Sequence, residues 1–250
     1  MFVLVLALSL LIGVALGLLG GGGSILTVPI LVYVAGMGPK EAIAASLFVV
    51  GVTSAVAAVS HARAGRVHWR TGLIFAAAGM AGAYAGGRLA EFISGTVLLV
   101  AFGLMMLATA VAMIRGRKKS APPEGHRLSV PKILLEGFVV GLVTGLVGAG
   151  GGFLIVPALV LLGGLPMGAA VGTSLVVISL KSFAGLAGYM SSVQVDWGLA
   201  GAVTAAAVVG SLLGGRLTDR IHPETLRKGF GWFVIVMAVF VLTQQLLGVL

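Results

Sequence analysis

Two copies of one glycine-rich stretch decide the fold of this 250-residue chain: Gly17-Leu-Leu-Gly-Gly-Gly-Gly-Ser-Ile-Leu-Thr-Val-Pro29 and Gly145-Leu-Val-Gly-Ala-Gly-Gly-Gly-Phe-Leu-Ile-Val-Pro157. They are offset by 128 residues, and the same offset relates other landmarks without gaps. These landmarks are Ser46 and Ser174, Trp69 and Trp197, and Arg88 and Arg216. The chain is therefore two tandem homologous halves, and each contains a glycine run within an apolar stretch.

The composition places the chain in a membrane. It is 59% hydrophobic and 9% charged, with a mean hydropathy of +1.16, whereas soluble domains carry about 25% charged residues. About 20 apolar residues span a bilayer as a helix. Eight segments are long and apolar: 2–19, 41–60, 70–87, 95–114, 132–148, 168–190, 198–214 and 226–248. Two shorter ones follow the glycine runs, at 24–36 and 152–163. We expect an all-α polytopic membrane protein surrounded by lipid.

Several function classes are excluded by the same sequence. The net charge of +9 comes from basic residues placed between apolar segments, which is typical of a membrane protein and not of a nucleic-acid binder. The chain has no cysteine, so thiol catalysis and thiolate metal sites are absent. Neither glycine run is followed by the Gly-Lys-Ser/Thr of a phosphate loop, and no histidine lies within an apolar segment. We therefore expect no enzyme activity, no cofactor and no metal.

The distribution of basic residues predicts the orientation of the halves. We expect a first transmembrane repeat at 1–114, a basic cytoplasmic linker at 115–131 and a second transmembrane repeat at 132–250. If the second half is inverted, the cytoplasmic loops hold 13 of the 16 basic residues, against nine for parallel halves. The inverted arrangement is favoured by the positive-inside rule. It requires an odd number of crossings per half, so each short post-glycine segment either crosses or folds back as a re-entrant hairpin.

The glycine runs are the first candidate binding elements. Consecutive glycines break a helix, and the freed backbone groups must face protein or a wet cavity, since lipid cannot satisfy them. A helix that begins after each run, at Ser24 and at Gly152 or Phe153, would present free amides to an anion. Close helix packing is the alternative role for these glycines. The candidate residues are Gly20, Gly21, Gly22, Gly23, Ser24, Pro29, Gly148, Ala149, Gly150, Gly151, Gly152 and Pro157.

The other candidates lie on the segments 41–60 and 168–190. Lys181 lies deep inside the second of these and corresponds to Thr53 in the first half. An ionisable group at that depth usually faces a cavity or a partner, although its long stem also allows it to snorkel toward the interface. Ser46, Thr173 and Ser174 offer hydroxyls for a polar path or for bonds to their own helix. No carboxylate lies mid-span, which argues against proton coupling through a buried acid.

The paired glycine motifs, followed by Ala45-Ser46-Leu47 and Gly172-Thr173-Ser174-Leu175, resemble those of the sulfite exporter TauE/SafE family over essentially the whole chain. The resemblance implies a multi-pass permease of the inner membrane that exports sulfite, organosulfonates or related small anions. One departure is Ala149 where the first copy has Gly21, so the two halves need not bind equally.

The residues and the resemblance together predict an exporter of a small anionic solute, with two broken helices and Lys181 around the anion. A membrane scaffold that moves no solute, and a permease for another small solute, are the alternatives. The sequence is compatible with a homo-oligomer and predicts no nucleic-acid partner.

Overall fold

The computed structural model describes residues 2–19, 22–115, 130–148, 151, 155–156, 159, 165–217 and 223–247. All regular structure in these ranges is helical, which confirms the predicted all-α class. The predicted linker lies almost entirely outside the described residues, so the domain boundaries stay a prediction.

Nine α-helices make up the described part of the chain, and their bounds follow the sequence repeat. They are α1 (Phe2–Leu19), α2 (Thr27–Tyr33), α3 (Pro39–Arg63), α4 (Trp69–Leu89), α5 (Gly95–Arg115), α6 (Val130–Val147), α7 (Met167–Tyr189), α8 (Trp197–Leu217) and α9 (Pro223–Leu246). The starts of α1, α3, α4 and α5 recur 128 residues later as the starts of α6, α7, α8 and α9. Each of the eight long apolar segments predicted from sequence is therefore a helix.

Four of these helices are long and apolar enough to cross a membrane. They cover Pro39–Arg63, Trp69–Phe92, Gly168–Tyr189 and Trp197–Gly214. Several further apolar helices are shorter in their described parts, among them Val3–Gly17 and Ile133–Val147. Large apolar side chains such as Trp69, Phe92 and Trp232 remain exposed on the outside of the bundle, where a surrounding hydrocarbon phase would cover them.

Helices are exchanged between the two halves. α4 of the first half packs on α6 and α7 of the second, and α8 of the second half packs on α1 and α3 of the first. The helix pair α3 and α7 joins these two groups, while α5 and α9 pack on each other. The contact of α4 with α6 is thus equivalent to that of α8 with α1, and the contact of α4 with α7 is equivalent to that of α8 with α3. The α3–α7 and α5–α9 pairs each join two equivalent helices.

Corresponding helices run in opposite directions where they meet. Between α3 and α7, Leu47 lies against Gly185, and Phe183 lies against Gly51 further along α3. Between α5 and α9, Gly103 contacts Leu242 and Ile114 contacts Gly231. In both pairs the later residue of one helix meets the earlier residue of the other, so both pairs are antiparallel.

Glycines allow close approach between the exchanged helices. A Cβ on Gly141 or Gly145 of α6 would overlap the α4 backbone at Gly79 or Ala83. The same is true of Gly210 and Gly214 on α8 against Leu10 and Val14 of α1. Small residues commonly bring backbones together in this way within membranes. In both helix pairs a later residue on one helix contacts a later residue on the other. α4 therefore runs parallel to α6, and α1 runs parallel to α8.

Candidate functional site

Lys181 lies in the middle of α7 and is almost completely buried, with 1% of its surface exposed. Its Nζ donates a hydrogen bond of 2.6 Å to Thr144 Oγ1 on α6. Among the described residues no carboxylate forms an ion pair with it; the ion pair that those residues do form joins Arg88 and Glu91 at the surface, at 3.9 Å. Lys181 therefore does not snorkel to the membrane surface but points into the protein.

The Lys181 side chain borders a narrow crevice between four helices. Its lining residues are Leu47 of α3, Ala83 of α4, Thr144 and Gly145 of α6, and Lys181 and Ser182 of α7. The crevice is too narrow to hold a water molecule. Ser182 is buried there, and its hydroxyl has no hydrogen-bond partner in the described structure. The crevice is thus filled by protein atoms, and its lining holds polar groups that could serve a ligand.

The second glycine run lies beside this crevice. Gly148 and Gly151 follow the end of α6. Their φ angles are +69° and +67°, a conformation that glycine adopts at no steric cost. Ser46 on α3 shares its hydroxyl proton between the carbonyl oxygens of Gly148, at 2.7 Å, and Ile43, at 2.8 Å. Gly151 lies against Lys181 Nζ and the Thr144 side chain. Ala149, Gly150, Gly152 and Pro157 lie outside the described residues.

The first glycine run has a different environment. Gly20 and Gly21 lie outside the described residues, and a 3-10 helix covers Gly22–Leu26. Helical structure therefore begins two residues before the predicted start at Ser24, and the α-helix proper begins only at Thr27. Gly23 packs on the α1 backbone at Ile12 and Leu16, and Ser24 and Pro29 are buried. None of the described residues of this run borders the Lys181 crevice.

Two predicted residues of α7 lie away from the crevice. Thr173 Oγ1 accepts a hydrogen bond of 2.9 Å from the backbone N–H of His68 in the α3–α4 loop. Ser174 is buried, and its hydroxyl donates to the carbonyl of Val171 at 2.8 Å. Thr173 precedes Lys181 by eight residues, or about 12 Å of helix. It therefore joins α7 to a loop at one end of the bundle.

Sequence reasoning missed Thr144, the hydrogen-bond partner of Lys181. The sequence signal for this pair is a departure from the repeat. The first half has Leu16 at the position equivalent to Thr144 and Thr53 at the position equivalent to Lys181. The hydroxyl and the lysine thus occur together in the same half. Two linked departures of this kind would have pointed to a contact between them.

Comparison with known sequences places the chain in a family. The family model described as "Sulfite exporter TauE/SafE" matches residues 5–241. The chain belongs to the TauE/SafE family. No solved structure matches it significantly.

The similar TauE/SafE relatives are described as transporters. A "Probable membrane transporter protein" of Xylella fastidiosa is 37% identical over 242 residues, which cover 94% of this chain and 92% of the relative. One from Methanocaldococcus jannaschii is 29% identical, with 96% and 97% covered. The "Probable membrane transporter protein YunE" of Bacillus subtilis is 28% identical, with 90% and 91% covered. Family membership and these relatives support a membrane transporter for a small solute.

Proposed function

We propose that the chain is a permease that exports small sulfur-containing oxyanions, sulfite or an organosulfonate, across the inner membrane. The observation that carries the proposal is Lys181, a basic side chain buried at a helix crossing without a carboxylate partner among the described residues. Burial disfavours the charged form of a lysine, so Lys181 needs a counter-charge to remain protonated. An oxyanion in transit would supply one, and the name of the family model supports sulfite as the solute.

The donors around the crevice suit an oxyanion. Lys181 carries several N–H donors, of which one is used by Thr144, and Ser182 has an unused hydroxyl. Gly151 next to Nζ has no side chain, so the backbone can approach closely. Hydrogen bonds from a charged donor to an anion are among the strong ones in proteins. These groups would therefore hold one or two oxygens of a small anion.

We propose further that the two halves are inverted repeats and that the eight long helices all cross the membrane. Support comes from the antiparallel contacts of α3 with α7 and of α5 with α9, and from the positive charge of the loops that this orientation places in the cytoplasm. The chain between each glycine run and the next long helix would return across the membrane. Transporters with inverted repeats bind their substrates at the repeat interface near the midplane. In this scheme the site would lie where α3 of the first half packs on α7 of the second.

Transport in this scheme requires the crevice to open. An anion does not fit the crevice as it stands. The group formed by α1, α3 and α8 would therefore move away from the group formed by α4, α6 and α7, which would open the crevice first to one side of the membrane and then to the other. A potential that is negative inside drives an anion outward by about 2.3 kcal/mol per charge per 100 mV. Export therefore needs no buried proton relay, in keeping with the absence of carboxylates in the four candidate spans apart from their ends.

Counterflow of radiolabelled sulfite into proteoliposomes tests the proposal, with sulfate, thiosulfate and methanesulfonate as competitors. We expect saturable uptake that falls at least tenfold in Lys181→Met. The matched control is Lys40→Met, because Lys40 is a second lysine on a candidate span, bonded at the helix end to the carbonyl of Glu91 at 3.0 Å. No saturable uptake by folded wild-type protein would refute the sulfur-anion assignment and favour another solute or a scaffold. Wild-type rates in Lys181→Met would remove the lysine from the site.

A further inference from the structure

Most buried hydroxyls in these helices are already used as donors. Ser9, Thr53 and Thr204 donate to carbonyls one turn earlier, at 2.6–2.7 Å, as is usual in membrane helices. Thr27, Ser54, Ser182 and Ser211 are different: each is at most 3% exposed, and none has a hydrogen-bond partner in the described structure. A buried O–H without a partner is costly. Its unused proton suits a ligand that accepts hydrogen bonds.

The three serines occupy related positions in the repeat. Ser182 lines the Lys181 crevice, and Ser54 is its equivalent in the first half. Ser211 is the equivalent of Ala83, which lines the same crevice. The residues equivalent to the crevice lining therefore define a second location. There Ser54 stands in place of Ser182, and Ser211 stands in place of Ala83. Thr53 stands there in place of Lys181.

Packing in the other half supports this second location. Leu16, Ala57, Ala58 and Leu175 form one buried cluster. Leu16 and Leu175 are the equivalents of Thr144 and Leu47, which both line the Lys181 crevice. Ser54 lies one turn before Ala57 and Ala58 on α3. The repeat therefore predicts the same side-chain arrangement around Ser54, with leucine in place of the lysine-binding threonine.

We infer that Ser54 and Ser211 form a second, lysine-free subsite for the same oxyanion, which the anion occupies as it passes between the two sides. This inference rests on the proposed function. Two unused hydroxyl donors match an acceptor such as an anion oxygen, whereas a cation there would be repelled by Lys181 across the α3–α7 crossing. Neutral donors bind anions less strongly than charged ones. The subsite therefore serves transit and release, while Lys181 provides the tighter position.

The test compares sulfite counterflow by wild-type protein, Ser54→Ala/Ser211→Ala and Ser9→Ala in proteoliposomes, over a range of sulfite concentrations. Ser9→Ala removes an equally buried hydroxyl whose proton is already bonded to the carbonyl of Val5. We expect the double variant to lose at least fivefold in maximal rate, while its half-saturation concentration changes less than twofold. Ser9→Ala should keep the wild-type rate. The unfolding temperature of the double variant should stay equal or rise, because two unpartnered buried hydroxyls are removed.

The outcomes separate the two proposals. Wild-type counterflow with an unaffected double variant would overturn the subsite and leave the permease intact. A loss of rate accompanied by a lower unfolding temperature would make the serines structural and would also overturn it. Failure of the wild-type protein itself to exchange sulfite or any competitor would overturn the proposed function on which the subsite depends.

Discussion

Burial of single side chains sets the chemistry of the crevice. Lys181 is held among Thr144, Gly151 and Ser182, and an amino group in such a place is costly unless an anion compensates its charge. The residue is absent from the equivalent position of the first half, where Thr53 bonds to its own helix. Under the proposed function, this asymmetry would give the molecule one strong anion position instead of two equal ones.

Ser46 is the side chain that joins α3 to the break after α6. Ser46→Ala removes the donor to the buried Gly148 carbonyl, and one hydrogen bond contributes about 1 kcal/mol. We expect the midpoint of thermal unfolding to fall by about 2–4 °C. Tryptophan fluorescence of the purified protein measures this midpoint. Ser60→Ala is the control, since Ser60 donates only to Ala57 within its own helix. An unchanged midpoint in Ser46→Ala would show that the break is held without this bond.

At the level of elements, glycines decide how closely helices pack. The α4–α6 and α1–α8 pairs both approach until a Cβ would overlap a facing backbone. Because α6 carries Thr144 and ends just before Gly148, the position of the whole crevice depends on that approach. The glycines of α6 thus have a packing role, in addition to any role of the glycine runs in binding.

Gly141→Ala should destabilise the protein, because its Cβ would overlap the Gly79 backbone and push α6 from α4. We expect a fall in the unfolding midpoint of at least 4 °C and a loss of sulfite exchange. Gly201→Ala on α8 is the control, since nothing lies within 4 Å of the added Cβ. Alanine favours a helix by about 1 kcal/mol over glycine, so this variant should be as stable as wild type or more so. Equal stability of both variants would contradict the close-packing account.

The repeat determines the arrangement of the whole molecule. α4 of the first half packs with α6 and α7 of the second, and α8 of the second half packs with α1 and α3 of the first. Each of these two helix groups therefore needs a helix from the other half. Motion between the groups would occur at α3 and α7, which join them. The same exchange relates the Lys181 crevice to its lysine-free equivalent.

Cysteine labelling tests the inverted orientation, and it needs no background substitutions because the chain has no cysteine. Arg66 and Gln194 are equivalent, exposed positions in the α3–α4 and α7–α8 loops. In intact cells a membrane-impermeant maleimide should label Gln194→Cys, whereas Arg66→Cys should react only after permeabilisation. Labelling of both variants from the same side would refute inverted halves.

Sequence alone determined the helices and the repeat, because membrane helices depend on local apolar length and because duplicated segments repeat their helix starts. It also singled out Lys181 as an ionisable group deep in a span, and Ser46 as a candidate hydroxyl for a polar path. It did not predict the short 3-10 helix at Gly22–Leu26, since glycine runs have no strong conformational preference.

Only the tertiary structure decided which polar groups meet. Thr144 is 37 residues from Lys181 along the chain, and the Ser46 hydroxyl bonds a carbonyl 102 residues away. Such contacts depend on the exchange of α4 and α8 between halves, which is set by long-range packing of small residues and not by any local pattern. The hydroxyls of Ser54, Ser182 and Ser211 likewise lack partners because of what their helices face. The hydrophobicity pattern of the sequence does not predict this.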